Sequence, residues 1–240
     1  MSENFPTNHR KSENFFGRRH GKALRPQQKN LLDKLLPELI LDIGAPPPKN
    51  LQEIFSKACQ NIRLEIGFGG GEHLAYALDH KKDSAFIGVE PFVNGMAKFI
   101  SHLSIQKEHQ SRTRLFFDDA TFLLDWLPAH SIDAIDLFYP DPWPKKKHWK
   151  RRFVNQKNLD RFARILKPGG LFRFASDIDS YVNWTVFQCQ KHPSFHWLAS
   201  SPLDWQNAYH DWPPQPATRY EAKAFKEGRK TAYLTFRYET

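Results

Sequence analysis

Between residues 62 and 238 the apolar positions fall into short runs separated by polar stretches of helical spacing. Runs at 62–66, 85–90, 114–117, 132–139 and 171–175 are rich in Ile, Val, Leu and Phe, which predicts buried strands. The stretches 72–80, 93–109, 121–126, 155–166 and 180–189 carry the 3.6-residue period of amphipathic helices. Lys167-Pro168-Gly169-Gly170 is a strong helix stop, and two late strands are predicted at 195–198 and 232–238. Strands alternating with helices predict an α/β fold, a mostly parallel sheet with helices on both faces. Upstream the pattern is weaker. Residues 31–43 are apolar and read as partly helical or strand-like, Ala45-Pro46-Pro47-Pro48 as a stiff spacer, and 50–60 as a short amphipathic helix. Residues 1–30 are polar and basic and read as a disordered arm, which leaves 31–240 as a single domain.

Charge narrows the partner. The 240-residue chain carries a formal net charge of +9, which points to a polyanion, either nucleic acid or an anionic membrane surface. No run of 18 apolar residues exists, so no transmembrane helix is expected, and the N-terminus lacks the apolar core of a signal peptide. Cys59 and Cys189 form no C-x-x-C, and the eleven histidines show no ligand spacing, so neither a disulfide framework nor a metal site is expected. The cytoplasm is the simplest compartment. No obligate protein partner is evident, and a monomer or a homodimer fits equally.

Two stretches carry chemistry. In the first, Leu64-Glu65-Ile66 opens into Gly67-Phe68-Gly69-Gly70-Gly71 and then a helix, so backbone can approach a ligand closely. A dinucleotide fingerprint needs a third glycine where this chain has Glu72, and a glutamate there suits a pyrophosphate poorly. Glu65, two residues before the first glycine, can accept bonds from an ammonium. Glu90 ends the next strand, where an acid hydrogen-bonds ribose hydroxyls. Asp119 follows the third strand, where an acid can receive an adenine amino group. The series fits a cationic, phosphate-free adenosyl ligand better than a nicotinamide one.

The second stretch runs from Ile135 to Phe153. An apolar strand ends in Tyr139-Pro140-Asp141-Pro142-Trp143-Pro144, and the prolines leave Asp141 little backbone freedom. Six basic residues (Lys145, Lys146, Lys147, Lys150, Arg151, Arg152) and His148 follow. Ligands of open α/β sheets bind at the carboxyl ends of strands, so this is a rigid acid at a ligand site with a cationic ramp leading to it. Trp143 and Trp149 either stack on a nucleobase or pack internally. Asp177 is either a polar wall of the pocket or the N-cap of the following helix.

These residues resemble the tRNA (guanine-N7-)-methyltransferases, which use S-adenosylmethionine and are class I methyltransferases. The carriers are Glu65-Ile66-Gly67-Phe68-Gly69-Gly70-Gly71, Ile87-Gly88-Val89-Glu90-Pro91, Asp119-Ala120, the segment 139–148, Ser176-Asp177 and Thr218-Arg219-Tyr220-Glu221. The family often has Thr-Lys-Phe-Glu at the last of these. The resemblance implies a Rossmann-like seven-stranded sheet with an antiparallel last strand. It implies methyl transfer to N7 of a tRNA guanosine, in the variable loop, leaving S-adenosylhomocysteine, with no metal. Glu65, Gly67, Phe68, Gly69, Gly71, Glu90, Asp119 and Asp141 become cofactor contacts, with Asp141 also at the reacting centre. Lys145, Asp177, Thr218, Arg219, Tyr220 and Glu221 become substrate contacts, although Glu221 can instead pair with Arg219. Lys146, Lys147, His148, Lys150, Arg151 and Arg152 become the RNA contact.

Two other readings compete. One keeps the cofactor and changes the target to another RNA or a small molecule; the basic ramp opposes the small molecule. The other is a non-catalytic RNA-binding module that has kept the fold; the intact series of acids opposes it.

Overall fold

The computed structural model describes residues 15–199 and 218–240 of the chain. Its centre is a seven-stranded sheet built from β1 (Asn61–Ile66), β2 (Ser84–Val89), β3 (Thr113–Phe116), β4 (Ile132–Phe138), β5 (Leu166–Ser176), β6 (Phe195–Trp197) and β7 (Ala232–Tyr238). The order across the sheet is β3-β2-β1-β4-β5-β7-β6. The first five strands are parallel, and β7 lies antiparallel between β5 and β6. This agrees with the mostly parallel sheet expected from the alternation and with the antiparallel last strand that the resemblance implies.

The central strands are apolar because both faces are covered. One layer holds α1 (Pro26–Leu39), α2 (Glu72–His80) and α3 (Val93–Ile105), which bury Leu36, Leu78 and Phe99 against Phe86 and Leu115. The other holds α5 (Ala120–Trp126), α6 (Gln156–Ile165) and α7 (Asp179–Lys191), which bury Leu123, Phe162 and Tyr181 against Leu64, Ile135 and Phe174. Truncating one of these aromatics, as in Phe162→Ala, would cost about 3–5 kcal/mol. Arg112 is buried and donates to the carbonyls of Leu78, Lys81 and Ser84, which closes the C-terminal end of α2. Among the described residues, no helix is long and apolar enough to cross a membrane.

Some element boundaries shift. The arm assigned to 1–30 gives way to α1 at Pro26, and the ambiguous 31–43 stretch is mainly its continuation, ending in an isolated pairing of Ile40 with Leu115. The helix expected over 93–109 breaks at Gln106, whose ψ of 71° is not helical, before the short α4 (Lys107–Gln110). Strand β5 starts at Leu166 rather than 171, because Leu166 already pairs with Ile132 and Lys167–Gly170 is an irregularity within the pairing. The 50–60 stretch narrows to a 3₁₀ turn at Leu51–Ile54.

Candidate active site

Strand order reverses between β1 and β4, and a crevice opens at their carboxyl ends. The glycine turn leaves β1 and the Pro-Asp-Pro loop leaves β4, so the two stretches singled out in the sequence face one cleft of about 840 Å³. Volumes of this order hold nucleoside-sized ligands.

The turn uses its glycines for different reasons. Gly67 has φ of 72°, and a Cβ there would project into open space in the cleft. It therefore forms an open backbone cradle. Gly71, with φ of 77°, starts α2, and a Cβ on it would lie 2.2 Å from the Phe99 ring. Gly95, at the start of α3, was not singled out in the sequence. A Cβ there would lie 2.3 Å from the Gly69 carbonyl oxygen, so its absence lets α3 close against the turn. A glycine in a first helical turn was the available signal. Phe68 points inward, packing tilted on Phe99 at 5.1 Å.

Glu90 grips the turn. Its carboxylate accepts from the Gly69 N–H at 2.6 Å and the Phe92 N–H at 2.8 Å. Burial pushes its pKa up to about 7, against those two hydrogen bonds and Arg219, which act downward. Asp119 caps α5 by accepting from the Thr121 N–H at 2.9 Å, and burial raises its pKa as well. Both acids line the cleft. Glu65 lies behind the turn, with Oε2 2.7 Å from Nδ1 of buried His73. Beside it in register, Asp136 accepts a bidentate bond from Arg173 at 2.6 and 2.7 Å, with Arg63 at 3.4 Å. Burial acts upward on Asp136, but the two guanidinium groups hold it well below the usual carboxylate range.

Asp141 sits at the cleft mouth between two strained neighbours. Tyr139 (φ 50°) and Trp143 (φ 43°) both adopt the left-handed region that bulky residues avoid. Each end of the loop is held. The Tyr139 N–H donates to the Ala175 carbonyl at 2.8 Å, and the Tyr139 hydroxyl donates to Thr231 Oγ1 at 3.3 Å. At the other end, Arg151 lies 4.9 Å over the Trp143 ring and 4.6 Å over Phe16. Enclosure by the cleft walls raises the Asp141 pKa, and Arg18 pulls it down. Phe15, Phe16, Gly17 and Arg18 line the cleft, and Arg19 pairs with Asp118 at 2.8 Å. This part of the basic arm thus follows the site; residues 1–14 lie outside the described residues.

Other candidates spread wider. Lys145, Lys146, Lys147 and Lys150 are exposed on and before a 3₁₀ turn at Lys146–Arg151, with His148 half-buried edge-on to Trp143. Arg152 corrects the expectation of an RNA contact. It is 1% exposed, donates to the Pro142 carbonyl (3.0 Å) and to Ser180 O and Oγ (2.7 and 2.9 Å), and is faced by Trp149, Tyr181 and Trp184. Trp149 packs against Trp184, so of its two readings the internal one describes the structure. Asp177 does not cap α7, whose N-cap is Ile178; it accepts from Arg229 at 2.6 Å. Thr218 caps α8 (Arg219–Lys226) by accepting from the Glu221 N–H at 3.1 Å. Arg219 pairs with Glu72 at 3.8 Å, not with Glu221. Tyr220 is half exposed and lines the cleft. Glu221 is fully buried and accepts from the Tyr233 hydroxyl.

The sheet order and the cleft at its switch point define a class I methyltransferase fold. The family model for a putative methyltransferase matches residues 59–234. Solved methyltransferases share the fold: the 16S rRNA methyltransferase KamB at TM-score 0.53 and 11% identity, covering 82% of this chain and 96% of that one. The aminoglycoside resistance methyltransferase NpmB1 aligns at 0.51 and 14%, covering 81% and 95%. Curated relatives named tRNA (guanine-N(7)-)-methyltransferase are closer in sequence. The one from Brucella melitensis is 56% identical, covering 98% of each chain. That from a Chelativorans species is 58% identical, covering 98% of this chain and 99% of its own. The chain belongs to the tRNA (guanine-N7-)-methyltransferase family.

Proposed function

We propose that the protein transfers the methyl group of S-adenosylmethionine to N7 of a guanosine in tRNA, in the cytoplasm. The observation that carries the reading is the placement of Asp141, held between Tyr139 and Trp143 and facing the glycine turn across one cleft. The residues fit the cofactor. Gly67 leaves an open cradle, Glu90 presents a carboxylate for ribose hydroxyls, and Asp119 an acceptor for the adenine amino group. When bound, S-adenosylmethionine supplies a methyl on a positively charged sulfur, which leaves as the neutral thioether of S-adenosylhomocysteine.

Guanine N7 has a free lone pair and loses no proton on methylation, so the site must align rather than deprotonate. The guanine ring becomes cationic. Asp141 accepts hydrogen bonds from the N1–H and N2 edge and offsets the developing charge electrostatically. Reaching the base requires unstacking it, at a cost of a few kcal/mol. Lys145, Lys146, Lys147 and Lys150 offset that through phosphate contacts. Tyr220, at the cleft edge, supplies a ring for the base to lie against.

The test is transfer of labelled methyl from S-adenosylmethionine to bulk tRNA, followed by nucleoside analysis. The reading requires label in 7-methylguanosine; label in another nucleoside, or none, contradicts it.

A further inference from the structure

The proposed cofactor contacts leave one buried group without a role. His73 stands in the first turn of α2, 2% exposed, and faces Glu65, 4% exposed. An ionised carboxylate can only accept, so Nδ1 carries a proton that points at Glu65 Oε2. The ring is fixed independently, edge-on to Phe138 at 4.6 Å and 90°. Phe138 is the last residue of β4, directly before the loop that carries Asp141. The other anion nearby, Asp136, takes its hydrogen bonds from Arg173 and Arg63 rather than from His73. Glu65 Oε1 has no hydrogen-bond partner among the described residues. One oxygen of Glu65 is therefore tethered by His73, and the other carries no hydrogen bond from the described residues, at the carboxyl end of β1 where the glycine turn begins.

We infer that His73 is a positioning residue for the amino-acid end of the cofactor, acting by fixing the Glu65 carboxylate toward the ligand's ammonium. A glutamate side chain has three rotatable bonds, and holding one oxygen removes most of that freedom before the ligand arrives. Glycine and carboxylate supply the chemistry of contact, while the histidine supplies orientation. This rests on the proposed assignment of Glu65 to the cofactor.

Calorimetry separates orientation from mere packing, using two ligands that differ only at the amino-acid end. S-adenosylhomocysteine carries the ammonium; 5′-methylthioadenosine lacks it. His73→Phe keeps a ring against Phe138 and removes the donor. It should weaken S-adenosylhomocysteine about tenfold or more and leave 5′-methylthioadenosine within about twofold. His73→Asn places an N–H near the Nδ1 position and should restore most of the affinity; His73→Gln places it farther out and should not. Glu65→Gln should show the same selective weakening, and His73→Phe in that background should add little. Equal weakening for both ligands would mean that His73 only supports the turn, and no change for either would remove it from the site. Should His73→Phe not fold, the Asn against Gln comparison decides: equal affinities for S-adenosylhomocysteine overturn the inference. These titrations need no tRNA. A wild-type protein that fails to methylate tRNA removes the proposed substrate without touching them, whereas absence of the ligand split with tRNA methylation intact removes His73 alone.

Discussion

The guanidinium of Arg152 donates to the carbonyl oxygen of Pro142 at 3.0 Å, one residue from Asp141. The same side chain holds Ser180 at the start of α7. Arg152 thus fastens the Pro-Asp-Pro loop to the sheet's flanking helix, and its charge is used inside the protein. Arg152→Ala would strand two carbonyls and a hydroxyl and leave a cavity between three rings. It should cost on the order of 2–4 kcal/mol, which lowers the melting temperature by several degrees in a chain of this size. The salt dependence of tRNA binding should stay as in wild type. An unchanged melting temperature with a flatter salt slope would make Arg152 a phosphate contact instead.

The exposed lysines behave differently. Lys146, Lys147 and Lys150 make no buried tie and stand along one turn. Replacing all three by Ala should leave folding intact and weaken tRNA binding. The slope of log K against log salt should shrink by roughly 0.7–0.9 for each phosphate that is no longer neutralised. A slope equal to wild type would mean that the ramp faces away from RNA.

The proposed ribose contact of Glu90 makes cofactor binding pH-dependent. Burial raises its folded-state pKa to about 7, above the ordinary value, so its ionisation costs the free protein stability as pH rises toward and through 7. Ribose hydroxyls favour the ionised carboxylate, so binding lowers that pKa and releases a proton. Affinity for S-adenosylhomocysteine should therefore improve from pH 6 to pH 8 in wild type. Glu90→Gln should bind more weakly and show a flat profile over the same range. A pH profile that survives the substitution would place the titrating group elsewhere.

Much of this site is legible in the sequence alone, and the reason is local. Gly67 and Gly71 declare positive φ and close approach, and Asp141 is bracketed by prolines within the sequence itself. The positions of Glu90 and Asp119, just after two strands, follow from short apolar runs alternating with 3.6-residue helical stretches. What stays hidden depends on distant partners. Arg152 reads as one more cation in a basic run until Pro142, Ser180 and Trp184 enclose it. Glu221 reads as a substrate contact or a partner of Arg219 until Tyr233, twelve residues on, donates to it. Arg18 belongs to a polar, basic arm, and no pattern in the chain says that it lies beside Asp141. Charge in a sequence gives sign and density; only packing decides which charges face out.

The central claim is that Asp141 positions guanine and offsets its developing charge without taking a proton. The measurement is single-turnover methyl transfer to tRNA by wild type and Asp141→Asn, at saturating cofactor and tRNA, from about pH 6 to pH 8. The substitution keeps the shape but removes the charge and turns one acceptor into a donor facing the guanine N–H edge. The rate should fall about 10²–10³-fold. Affinity for tRNA should be nearly kept, because phosphate contacts supply most of it. Methylation at N7 removes no proton from guanine, so the account predicts a flat wild-type rate over this range. Full activity in Asp141→Asn, or a steep wild-type rise with pH that the substitution abolishes, would contradict the account.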